Sequence, residues 1–133
     1  MLKSILKRRI GHPRISPSNG MKDLAPEIYR QRLVIEGTVK NIISSDDVKD
    51  YLNALSDRIG MKTVLPAITH RSDTYGEAGW IHWETSGAHF YAWDRPRLFF
   101  SVDIYTCKAF EVEAAVDFTR NFFKPTAIEF KSF

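Results

Sequence analysis

At 133 residues the chain is long enough for one compact domain with a core and too short for two. No run approaches the roughly 20 apolar residues of a membrane-spanning helix, and a lone cysteine, Cys107, excludes an intramolecular disulfide and a cysteine-based zinc cluster, which fits a cytoplasmic chain. The net charge of +3 is uneven: residues 1–32 carry 8 basic and 2 acidic side chains, residues 33–133 carry 11 and 14, so the basicity is N-terminal and gives no reason to expect nucleic-acid binding by the domain.

The opening M-L-K-S-I-L-K-R-R-I has the spacing of a short basic amphipathic helix with Leu2, Ile5, Leu6 and Ile10 on one side, and G-H-P-R-I-S-P-S-N-G then breaks regular structure. Residues 1–27 are therefore an extension, expected to be retained because it lacks the apolar core of a secretory signal, and suited to docking a partner or a charged surface. The domain proper spans 28–133. Y-R-Q-R-L-V-I-E-G-T-V predicts a first strand ending near Lys40. Ser44 and Ser45 offer an N-cap, Asp46 and Asp47 suit the first turn, and Val48, Tyr51, Leu52, Leu55 and Ile59 form one apolar stripe that Gly60 ends: a helix.

T-V-L-P-A-I-T-H predicts a second strand, placed at an edge or bulged because Pro66 has no N–H to donate. After a loop at 71–76, Ala78 to Cys107 reads as three antiparallel strands with short connections, the last through D-R-P-R. In the last of these, Leu98, Phe100, Val102 and Ile104 share one face; Phe99, Ser101, Asp103, Tyr105 and Cys107 share the other, where chemistry can sit. A second helix from about Phe110 to Phe123 stops at Lys124-Pro125, and T-A-I-E-F-K-S-F makes a final strand. The order β-α-β-β-β-β-α-β with only two helices predicts an α+β two-layer sandwich, an antiparallel sheet with both helices on one face.

Few residues in this layout carry chemistry by themselves. His82 and Glu84 alternate on one strand and His70 sits on a neighbour, but nothing in their spacing makes a ligand set, so no metal is expected. Trp80, Trp83, Trp93, Phe99 and Phe100 suit core and dimer packing before purine stacking. Arg95 and Arg97 belong to a solvated loop.

From Val34 to the C-terminus the chain resembles the S-adenosylmethionine decarboxylase family, the pyruvoyl enzymes of polyamine synthesis. V-D-I-Y-T-C looks like the family's I-D-L-F-T-C-G. The Y-G-x-x-G of Tyr75, Gly76 and Gly79, Ser86 seven residues before Trp93, and I-E-G-T-V-K at 35–40, similar to F-E-G-T-E-K, complete the match. In that family a serine hydroxyl attacks the preceding carbonyl, the amide becomes an ester, and elimination with hydrolysis leaves a pyruvoyl group on the downstream chain. Its ketone takes up the electrons released when the substrate's carboxylate leaves as carbon dioxide.

By position, the resemblance implies Ser86 as pyruvoyl precursor, Cys107 as proton donor and Glu36 as a substrate-site carboxylate; Glu84, two residues before the serine, is a further candidate for binding substrate. The resemblance also implies a homodimer and a small-molecule substrate, S-adenosylmethionine or another amino acid. The bacterial E-S-H-x-x-x-H-T-W becomes T-S-G-A-H-F-Y-A-W, with Thr85 before the serine. Two processing helpers, a serine and a histidine, fall on Ala78 and Tyr91, and the T-C-G glycine on Lys108. Such helpers are each worth about 10²-fold or more. His89, on the same strand face as Tyr91, is the residue expected to replace them. Three functions follow: a divergent pyruvoyl decarboxylase; a relative that keeps the fold without cleavage or cofactor, as a ligand-binding or regulatory partner; and an interaction protein using its basic arm.

Overall fold

The structure, a computed structural model, describes residues 20–133. The helix expected over residues 1–10 lies outside the described residues, and residues 20–30 hold neither helix nor strand. Then follow β1 (Gln31–Thr38), α1 (Ser45–Arg58), β2 (Thr63–Arg71), β3 (Gly76–Trp83), β4 (Ser86–Trp93), β5 (Phe99–Thr106), α2 (Val112–Phe123) and β6 (Ala127–Ser132). The predicted element order is reproduced, with the first strand and second helix each starting two residues later than the sequence suggests.

α1 forms where its caps allow. The Ser44 hydroxyl accepts from the Asp47 N–H at 3.1 Å while the Asp47 carboxylate accepts from the Ser44 N–H at 3.0 Å, a reciprocal box that satisfies two otherwise orphaned donors. Its apolar stripe, Val48, Tyr51, Leu52 and Leu55, is fully buried. The helix lies so close to the sheet that a Cβ on Gly79 would stand 2.2 Å from Val48 Cγ1, which is why the motif position facing the helix has no side chain. α2 ends on Lys124 in the left-handed conformation, its N–H donating to the Arg120 carbonyl at 2.9 Å, with Pro125 blocking continuation.

The sheet is antiparallel in the order β2-β3-β4-β5-β1-β6. β2 is an edge strand, irregular between Thr63 and Ile68 around Pro66, as a missing donor requires. Alternation sorts the sheet into two faces. Leu33, Ile35, Ile81, Trp83, Ala88, Phe90, Phe100, Val102 and Ile104 point toward the helices and are buried. There they meet Tyr51, Phe118, Phe122 and Phe123 in an aromatic cluster with ring centroids 4.8–5.7 Å apart. The opposite face, with Trp80, His82, His89, Tyr91, Asp103 and Tyr105, has no layer over it among the described residues. The polar tips that the core admits are paired: Trp83 Nε1 donates to Ser56 Oγ at 2.6 Å, and the Tyr51 hydroxyl meets Thr119 Oγ1 at 2.7 Å.

Candidate active site

Ser86 opens β4 directly after a two-residue hairpin turn, Glu84-Thr85, and pairs with Trp83 on β3 and Thr106 on β5. Two-residue hairpins match strand twist when the turn residues take positive φ, which Asn and Gly do readily and Glu and Thr do not. Neither Glu84 nor Thr85 has positive φ here. Ser86 takes it instead, at φ +134°, in a region that residues with a Cβ rarely enter and that costs about 1–3 kcal/mol. Inverting φ also swings Cβ away from the face a regular strand would give it. Ser86 accordingly borders a cavity of about 360 Å³ on the uncovered sheet face, with Trp80, His82, Gly87, Ala88, His89, Asp103 and Tyr105.

The peptide before Ser86 is pinned from two sides. The Thr85 carbonyl accepts from the Cys107 N–H at 3.0 Å, and Thr85 Oγ1 accepts from Thr106 Oγ1 at 3.0 Å while lying 3.4 Å from Met61 Sδ. Thr106 is fully buried and also accepts from the Lys108 N–H at 3.1 Å. Lys108, standing where the family has glycine, donates its Nζ to the Gly60 carbonyl at 2.7 Å and ties this corner to the end of α1. Chemically, a carbonyl polarised by a backbone N–H precedes a serine held in a strained backbone conformation. An intramolecular acyl shift draws on both features.

The sheet brings some candidates together and separates others. His89 lines the Ser86 cavity but stands three positions, about 10 Å, along β4. Its cross-strand partners are Trp80 and Asp103, with the Trp80 ring centroid 6.2 Å away. Asp103 holds Arg32 through bonds of 3.0 and 2.7 Å and raises the guanidinium above its ordinary pKa, chiefly through those bonds. Cys107 follows β5 and is exposed. Glu84 is exposed in the turn, 3.4 Å from Lys62 Nζ. Arg95 and Arg97 are exposed in the β4–β5 loop.

Tyr91 and Glu36 lie elsewhere. Ala78 pairs with Tyr91, Tyr91 with Ser101, Ser101 with Glu36, and Glu36 with Glu129, one row across five strands. That row is five positions from Ser86, about 17 Å along β4. The two positions where the family keeps processing helpers, Ala78 and Tyr91, are thus direct cross-strand partners and share a row with Glu36. Among the described residues no group of three or more His, Cys, Asp or Glu side chains is placed to hold a metal.

His82 is the residue that sequence reasoning did not bring to Ser86. It is the cross-strand partner of Gly87, the serine's next neighbour. Gly87 has no side chain because a Cβ there would sit 2.4 Å from the Ile81 carbonyl oxygen, so the family's histidine at this position has no room. The hairpin register held the clue: with Trp83 opposite Ser86, His82 must lie opposite Gly87.

An uncovered antiparallel sheet backed by two helices, with a strained serine at the head of one strand, defines a sandwich built around a hairpin corner. The S-adenosylmethionine decarboxylase family model matches residues 34–133, and the chain belongs to that family. The crystal structure of the adenosylmethionine decarboxylase from Aquifex aeolicus VF5 is similar to it, with TM-score 0.66 and 14% identity over 80% of this chain and 89% of that one. At that identity the likeness shows the fold alone. No curated protein matches the chain by sequence.

Proposed function

We propose that the chain cuts itself between Thr85 and Ser86 and works as a pyruvoyl-dependent decarboxylase of S-adenosylmethionine or a related amino acid. The observation that carries this reading is the backbone of Ser86: positive φ on a residue with a Cβ, beside a carbonyl already held by the Cys107 N–H. Such strain persists where the surroundings over-determine it, and here it raises the energy of the very peptide that an acyl shift would remove. A pyruvoyl group at Ser86 would supply an electrophilic ketone that draws electrons from the breaking carboxylate bond. Around it, Trp80 and Tyr105 give apolar walls for a ligand, and the exposed Cys107 thiol at the end of β5 is the proton donor that the family motif assigns.

The reading includes a homodimer in the cytoplasm. Support for the dimer comes from the uncovered face, where Leu65, Ile68, Tyr91 and Tyr105 are 42–54% exposed, an apolar area that a second copy would shield. No helix among the described residues is long and apolar enough to cross a membrane. The loss of both helpers at Ala78 and Tyr91 favours the second reading, an uncleaved family member that binds a ligand or partner. The denatured mass of fresh, untagged protein separates the two. Two fragments, the C-terminal one starting at a borohydride-reducible ketone from Ser86, are expected; a single chain of 15.3 kDa that stays intact overturns the pyruvoyl reading.

A further inference from the structure

We propose that His82 carries the proton for self-cleavage at Ser86. This rests on the self-processing reading. The acyl shift needs a group that takes the hydroxyl proton as the Ser86 oxygen bonds to the Thr85 carbonyl carbon, then returns it to the Ser86 nitrogen as the C–N bond breaks. The proton count closes within the pair, and the product is an ester with a free amine. Elimination of the Thr85 carboxylate and hydrolysis of the resulting enamine by water, with loss of ammonia, then give the ketone.

Three observations select His82. It lies opposite Gly87, one residue from Ser86, whereas His89 is three residues along the strand with Trp80 as its cross-strand neighbour. Ser86 and His82 border the same cavity on the uncovered face, so a proton can pass between them without leaving it. Finally, the Trp80 ring packs 6.0 Å from His82 and 6.2 Å from His89, and of these two imidazoles His82 is in the row nearer to Ser86. Histidine is also the side chain suited to taking and returning one proton at neutral pH.

The test uses the full-length, untagged chain and follows intact mass against time for wild type, His82→Ala, His82→Gln and His89→Ala. Loss of His82 should slow cleavage by about 100-fold, in both variants, with added imidazole restoring much of the rate to His82→Ala. His89→Ala should slow cleavage at least about tenfold less than His82→Ala does. Hydroxylamine, which cuts an ester but not the amide, should release no fragments from His82→Ala. The His82 side chain is exposed, so circular dichroism should show both variants folded. Cleavage of His82→Ala at the wild-type rate, a hydroxylamine-labile ester in it, or no rescue by imidazole overturns the assignment while leaving self-processing standing. A wild-type chain that never cleaves overturns both.

Discussion

Ser86 stores its strain because the turn before it is built from the wrong residues for a two-residue hairpin. A Glu-Thr turn without positive φ leaves a mismatch in strand twist, and the next residue absorbs it. Glycine would occupy this conformation without penalty. We therefore expect Ser86→Gly to be more stable than Ser86→Ala by about 1–2 kcal/mol in urea unfolding, even though glycine usually weakens a strand. Both variants are uncleavable, so the comparison is free of processing; equal stability would mean that φ at this residue is relaxed in solution. The serine itself was legible from its place in the family motif. Its strain was not, because the motif fixes residue types and the strain arises from how the turn joins two strands. His82 was hidden for the same reason: its nearness to Ser86 depends on cross-strand register, which one residue of slip would reverse.

The elements were the most readable level, because their periodicities reflect burial directly. α1 was set by its capping serine, first-turn aspartates and five-residue stripe, and β2 was placed at an edge by the missing donor of Pro66. What the stripe did not disclose was the role of Tyr51, which joins the helices and sheet. Burial pushes its phenol well above the ordinary value of 10.0, and the Thr119 hydrogen bond offsets this only in part. In the unfolded chain the phenol ionises near 10. Its contribution to stability is thus full below that pH and falls as pH rises beyond it, by up to about 1.4 kcal/mol per pH unit from this group. Tyr51→Phe should remove this part of the alkaline slope while costing about 1 kcal/mol at pH 7 for the lost hydrogen bond to Thr119. Parallel stability curves for the two proteins between pH 9 and 11 would show that the phenol is not buried in solution.

At the scale of the molecule the proposed decarboxylase meets a problem of distance. Ala78, Tyr91 and Glu36 share a row, and that row is about 17 Å from Ser86 along the strands. On the proposed decarboxylase reading, a carboxylate at Glu36 would reach a substrate at Ser86 from a second copy, laid over the uncovered face so that the row of one meets the hairpin corner of the other. In the proposed homodimer a two-fold axis would give two identical sites, each with Ser86 from one copy and Glu36 from its partner. On the decarboxylase reading, Glu36→Gln and Ser86→Ala should each abolish release of carbon dioxide from S-adenosylmethionine. Unfolded together and refolded at equal amounts, they should recover roughly a quarter of wild-type activity, since half the dimers are mixed and each mixed dimer has one intact site. Light scattering should report a dimer throughout. A mixture no more active than its parents, or a monomer of 15.3 kDa, would overturn a site shared between two copies.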